Sequence, residues 1–138
     1  MLAISIIYPM SLLLLLTASV LFMMLFFRVK AVRSRKVSPR YFKLNKGAEI
    51  PDHLEAISQN FNNLLQLPVI FYVVCLLIIS LNLNLEAFTI YTWSYVIFRY
   101  LHSFIHLTSN NIIHRLFFFT LSCITLIVMW IKVVVLVI

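Results

Sequence analysis

The sequence predicts an all-α fold, an integral membrane four-helix bundle that forms a single domain over residues 1–138. Of these residues, 63% are hydrophobic and 11% are charged, and the mean hydropathy is +1.04. Soluble domains carry about 25% charged residues. The apolar residues form long continuous runs, whereas a membrane β-barrel needs alternating segments of about 10 residues. Four helical spans of about 20 residues, with their connections, account for the whole length.

The first predicted span covers residues 4–27. It includes the run SLLLLLTASVLFMMLFF, and the span is long enough to cross the hydrocarbon core of a bilayer. No charged residue precedes Arg28, whereas a signal peptide carries basic residues before its apolar core. We therefore expect a retained transmembrane helix.

Segment 28–50 is predicted to be a basic cytoplasmic loop. It holds eight of the 11 Lys and Arg residues, and it contains Pro39 and the only glycine, Gly47, which predict a break in any helix. Basic loops stay on the cytoplasmic side of a membrane, so both termini are expected outside the cytoplasm. This orientation and contact with anionic membrane lipids explain the basic residues, and we predict no nucleic-acid partner.

The second span, residues 64–81, is predicted to have a cytoplasmic extension from about residue 51. Pro51 suits a first helical turn, and the acidic Asp52 and Glu55 favour a helix N-terminus. The helix is therefore expected to begin in the cytoplasm and to enter the membrane from there.

Two short turns separate the remaining spans. The turn NLNLE, residues 82–86, precedes the third span, 87–107, and the turn TSNN, residues 108–111, precedes the fourth span, 112–137. With the basic loop in the cytoplasm, the second of these turns returns to the cytoplasmic face.

Four polar residues of the third span are predicted to share one helix face. Arg99, His102, Ser103 and His106 have the spacing i, i+3, i+4 and i+7. Arg99 lies roughly 12 Å inward from the predicted cytoplasmic end. Because an arginine at that depth is costly in lipid, this face should point to the bundle interior or to a wet cavity.

Two further polar groups are expected at the same end of the bundle. They are Asn60, Asn63 and Gln66 on the second helix, and Asn111, His114 and Arg115 at the start of the fourth. A cationic, amide-rich set without an acid suits an anionic small molecule that carries carboxylates. The same residues also suit hydrogen bonds that hold helices or subunits together, and both interpretations stay open. No metal site is predicted, because His102 and His106 lack a third ligand.

The chain resembles the MAPEG superfamily (membrane-associated proteins in eicosanoid and glutathione metabolism), in particular its bacterial members. The resemblance rests on NFNNLLQLPVIFY, on WSYVIFRYLHSFIHLTSNNIIHRLFFF and on a final apolar helix. It implies a homotrimer in the bacterial inner membrane, with glutathione bound as co-substrate between neighbouring subunits near the cytoplasmic face. It also implies a glutathione-dependent transferase or peroxidase that acts on a lipophilic small molecule.

The resemblance also assigns roles to individual residues. Arg115 matches the arginine held near the glutathione thiol and is the catalytic candidate. The candidate ligand-binding residues are Asn63, Gln66, Arg99, His102, Ser103, His106 and Asn111.

The chain departs from the catalytic members at several positions. Gln66 stands where they usually carry a glutamate, and Gln59 and Asn62 stand where they carry arginines. His106 stands where they often have a tyrosine, and Phe119 where a tyrosine often supports the thiol. The alternative function is therefore that of a non-catalytic member, which has a structural role or binds a small anion or a lipid.

Overall fold

The computed structural model describes residues 4–44 and 50–138, and these form four long helices and one short one, which confirms the all-α class. The helices are α1 (Ile4–Arg33), α2 (Tyr41–Leu44), α3 (Asp52–Ser80), α4 (Leu85–Leu107) and α5 (Ile112–Val137). Three of them, α1, α3 and α5, are long and apolar enough to cross a membrane. Helix α4 is 23 residues long, but the polar residues on one of its faces lower its hydropathy.

Helix α1 is longer than predicted, so the predicted boundary between the first span and the basic loop was wrong. It continues to Arg33, so the first six residues of the predicted loop 28–50 are helical. Lysine and arginine are good helix formers and are favourable near a helix C-terminus, so the loss of apolar character does not end the helix. The helix ends where Arg35 takes a left-handed conformation, with φ of 56°. The predicted break at Gly47 lies outside the described residues.

Asparagine caps set where α4 and α5 begin. The side chain of Asn84 accepts hydrogen bonds from the backbone N–H groups of Glu86 and Ala87, so α4 begins at Leu85, two residues before the predicted start. Asn111 accepts from the N–H groups of Ile113 and His114 in the same way, and α5 begins at Ile112. The turn between α4 and α5 is therefore short, and it holds the end of one helix beside the start of the next.

Helices α3 and α4 form the middle of the bundle, because each packs against the other and against both α1 and α5. The rings of Phe71 on α3 and Tyr95 on α4 stack with centroids 4.4 Å apart. The Tyr100 hydroxyl donates to the backbone oxygen of Leu12 at 2.7 Å, which joins α4 to α1. These contacts fix the orientation of α4 and of the polar face that it carries.

The outer surface of the bundle is apolar. Large hydrophobic side chains such as Phe22, Val69, Ile90 and Ile127 are more than half exposed. In water such a surface would drive aggregation, whereas lipid tails cover it without cost. The end of the bundle at which α1 ends and α3 begins is called the basic end below, because Arg28, Lys30 and Arg33 lie there.

Candidate functional site

The polar face of α4 points into the bundle. Arg99 is 0% exposed, and His102, Ser103 and His106 are each no more than 2% exposed. The four residues therefore lie on one buried face, as their spacing predicts. The face runs along the second half of α4 toward the basic end.

Arg99 is a buried cation with few partners. Its Nη2 donates to the backbone oxygen of Asn63 at 2.6 Å, and its guanidinium carbon lies 5.7 Å from the centroid of the Phe119 ring. Its Nε and Nη1 atoms are buried and have no hydrogen-bond partner. Within ranges 4–44 and 50–138 the side chain forms no ion pair with a carboxylate. A buried arginine in this state is costly, which makes Arg99 a candidate functional residue.

His102 joins the buried face of α4 to the start of α5. Its Nδ1 lies 2.9 Å from the backbone oxygen of Arg115. A carbonyl oxygen only accepts, so Nδ1 carries the proton and donates it. The other ring nitrogen, Nε2, is buried and has no partner. His102 thus holds the backbone at Arg115 and keeps one free ring nitrogen.

The Arg115 side chain is half-buried and held in one position by two acceptors. Its Nη1 donates to the Asn110 side-chain oxygen at 2.8 Å and to Nε2 of His106 at 3.1 Å. A guanidinium only donates, so His106 is a neutral imidazole whose proton is on Nδ1. That Nδ1 is buried and has no partner. Since these bonds engage Nη1, the rest of the guanidinium remains free for a ligand.

Asn110 was not predicted as a site residue. It takes a left-handed conformation, with φ of 49°, and its backbone N–H donates to the oxygen of Ile105 at 2.8 Å. Asparagine tolerates this conformation better than most residues. The signal in the sequence is the pair Asn110 and Asn111, in which the second residue caps α5 and the first turns the chain and faces Arg115.

A cavity of about 240 Å³ lies at the junction of α3, α4 and α5. Its polar lining is Asn63, His102 and Arg115, and its apolar lining includes Phe119. We name it the Arg115 cavity. Residues from α3, α4 and α5 thus meet around one space, and Asn63, His102, Arg115 and Phe119 among them had been singled out in the sequence.

Other predicted site residues lie elsewhere. Gln66 is exposed and does not line the Arg115 cavity. Asn111 is also exposed, and its side-chain oxygen caps α5. The Ser103 hydroxyl donates to the buried side-chain oxygen of Asn60 at 3.0 Å, so this pair joins α4 to α3. Arg99 and His106 are buried and also lie outside the lining of the Arg115 cavity. The predicted set therefore divides into residues that line the cavity, an interhelical pair, two other buried residues of α4 and residues at the surface.

Comparison with protein families gives a match. The sequence model of the MAPEG family matches residues 6–135, which is nearly the whole chain. Comparisons with curated proteins and with solved structures found no match. The family match and the three membrane-length apolar helices make the protein a multi-pass integral membrane protein, and the chain belongs to the MAPEG family.

Proposed function

We propose that this protein binds glutathione, or a closely related anionic thiol, in the Arg115 cavity and activates its thiol for reaction with a lipophilic substrate. The observation that carries the proposal is the Arg115 guanidinium, which lines the cavity and is held there through one nitrogen by Asn110 and His106. A fixed cation with free donors suits a carboxylate or a thiolate. Asn63 lines the same space and brings an amide group to it.

The cavity of one subunit is smaller than most small-molecule sites. Its volume of about 240 Å³ is below the range of about 300–1,000 Å³ that is usual for small-molecule sites. We infer that a neighbouring subunit of a homotrimer supplies the other wall. Native mass spectrometry from detergent tests this assembly, and a purely monomeric protein would contradict it.

The chemistry would begin with the thiol. A guanidinium beside the sulfur favours the thiolate, which is the nucleophilic form. The thiolate would then attack an electrophilic carbon of an apolar substrate that enters from the bilayer and would displace its leaving group. In the peroxidase version, the thiolate would attack a peroxide oxygen, the O–O bond would break and an alcohol would leave after protonation. A second glutathione thiol would then convert the resulting sulfenic acid to the disulfide and water. In both reactions, the positive charge of Arg115 stabilises the thiolate.

Calorimetric titration of glutathione into the purified protein tests the binding step. Arg115→Ala should weaken binding about 10- to 100-fold, because hydrogen bonds to charged groups contribute about 1.5–3 kcal/mol. Arg33→Ala is the matched control, since Arg33 is exposed at the basic end and does not line the Arg115 cavity. Equal binding by the wild type and Arg115→Ala, or no binding at millimolar glutathione, would refute the proposal. Conjugation of a reactive aryl halide then measures turnover.

A second candidate function is that of a non-catalytic member, and Phe119 favours it. Its ring lies beside the Arg99 guanidinium and supplies no hydroxyl to a bound thiol. The variant Phe119→Tyr separates the two candidates. If glutathione binds to the wild type and only Phe119→Tyr conjugates the aryl halide, the natural protein binds its ligand without turnover. Turnover by the wild type would exclude this candidate.

We infer that the basic end faces the cytoplasm of a bacterial cell and contacts anionic lipid head groups of the inner membrane. Lys30 and Arg33 are exposed there, and basic residues at helix ends stay on the cytoplasmic side. Both termini would then lie outside the cytoplasm. Labelling of single added cysteines near residue 4 and near residue 36 with a membrane-impermeant maleimide tests this orientation. Reaction of the residue near 36 from outside the cell would contradict it.

A further inference from the structure

A second cavity is lined in part by His106. It has a volume of about 470 Å³ and lies between α1, α3 and the end of α4 at the basic end. Its apolar lining is Met23 and Phe27 from α1, Ile57 from α3 and Leu107 from α4. We name it the inner cavity. Its volume is within the usual range for small-molecule sites.

His106 contributes an unused hydrogen-bond donor to the inner cavity. The residue is 1% exposed and lines the cavity, and its Nδ1 has no partner among the described residues. Because Nε2 accepts from Arg115, the proton of the neutral ring is on Nδ1. A buried donor without a partner is unfavourable, and a ligand with an acceptor atom would relieve this.

The charge of the inner cavity differs from that of the Arg115 cavity. Among the described residues that line it, Asp52 is the only Asp, Glu, Lys or Arg, and His53 beside it packs edge-on against Phe27 with ring centroids 5.4 Å apart. A carboxylate at the mouth and apolar walls disfavour an anion. The acceptor offered to His106 should therefore belong to a neutral group.

We propose that the inner cavity binds a neutral amphiphile with an apolar body and a carbonyl oxygen, and that the oxygen accepts a hydrogen bond from Nδ1 of His106. This site is a different cavity from the Arg115 cavity, although His106 and Asn110, which line it, also hold Arg115. It lies within one subunit. The apolar body packs against Met23, Ile57 and Leu107, and it reaches the cavity from the membrane interface. The proposal does not depend on glutathione binding.

Photolabelling with benzophenone tests the proposal, because the probe is neutral, apolar and has one carbonyl group. On irradiation its excited carbonyl takes a hydrogen atom from a nearby C–H bond, and the two carbon radicals combine. The product is an alcohol joined to the protein by a new C–C bond. Peptide mass spectrometry of the protein in detergent should place adducts on Ile57 and Leu107. Adducts confined to lipid-facing residues would overturn the proposal.

Variants that fill the inner cavity give the control. Ala56→Trp narrows it from α3 and Met23→Trp from α1, and each should reduce labelling of Leu107 at least fivefold. Leu65→Trp is the matched control, because Leu65 is 49% exposed on α3 and does not line the inner cavity. If one of the two filling variants fails to fold, labelling of Leu107 in the other variant tests the proposal. Undiminished labelling in a folded filling variant would refute the site.

Competition identifies the chemical class of the ligand. 2-Undecanone should suppress labelling of Leu107 about fivefold more effectively than undecane, since a neutral hydrogen bond contributes about 1 kcal/mol. Decanoate should compete less well than the ketone, because Asp52 repels its charge. Equal competition by ketone and alkane, or stronger competition by the acid, would contradict a neutral carbonyl ligand at His106.

Discussion

Arg99 and Lys132 are both basic side chains in apolar helices, and their surroundings differ. The Lys132 Nζ lies 4.6 Å from the ring centroid of Tyr91 and 5.5 Å from that of Phe88. It also lies 3.5 Å from the Tyr91 hydroxyl oxygen, and the side chain is partly exposed. Arg99 is fully buried, makes one hydrogen bond and leaves two nitrogens without partners. Aromatic rings and partial exposure account for Lys132, whereas the described residues offer Arg99 no carboxylate and one hydrogen bond.

This difference separates a tolerated charge from one that is kept for a function. A lysine near a helix end extends its ammonium toward the interface at little cost. An arginine at 0% exposure cannot do so. It contacts Asn63 and Phe119, which both line the Arg115 cavity. We therefore expect Arg99 to support ligand binding more than it supports the fold.

The largest effect is expected from Arg99→Met. Loss of the cation beside Asn63 and Phe119 should lower glutathione affinity at least tenfold, while thermal stability in detergent stays equal or rises. Replacement of a buried charge by an apolar side chain is often neutral or stabilising. A thiol-reactive dye that reports exposure of the buried Cys75 measures unfolding. A large loss of stability with intact binding would assign Arg99 to the fold.

A pair of variants at His106 comes next. His106→Leu removes the acceptor for Arg115 and the donor to the inner cavity, so both glutathione affinity and benzophenone labelling should fall about fivefold. His106→Gln should recover much of both, because its amide oxygen can accept from Arg115 while its nitrogen donates. Calorimetry and peptide mass spectrometry measure the two effects separately. If His106→Leu and His106→Gln have the same glutathione affinity and the same labelling, the hydrogen bonds of His106 contribute to neither site.

Ser103 tests the alternative that polar residues of α4 only hold helices together. Ser103→Ala leaves the Asn60 side-chain oxygen buried without its partner. Such interhelical bonds contribute about 0.6–2 kcal/mol in membranes, so the unfolding temperature should fall modestly while glutathione affinity stays unchanged. The double variant Ser103→Ala with Asn60→Leu should recover most of the stability. An effect of Ser103→Ala on affinity would mean that the pair belongs to the site.

The sequence was most informative where spacing and composition carry the answer. The buried face of α4 follows from the spacing of Arg99, His102 and His106, and long apolar runs predict the helices. The sequence was least informative where the backbone conformation determines the end of a helix or a contact in a turn. Nothing in the apolar pattern shows that α1 continues to Arg33, because basic residues form helix as readily as leucine does. The contact of Asn110 with Arg115 depends on a left-handed turn residue, which spacing along a helix does not reveal.

The smallest effect is expected from Lys132→Met, which is the matched control for Arg99→Met. Cation–π contacts at exposed sites contribute about 0.5–1 kcal/mol. The loss of this stabilisation should be nearly offset, because methionine removes the cost of a charged side chain at the edge of an apolar helix. The unfolding temperature and the glutathione affinity should therefore both stay close to those of the wild type. If Lys132→Met lowers affinity as much as Arg99→Met does, the charge of the whole bundle attracts the ligand, and Arg99 has no special place in the site.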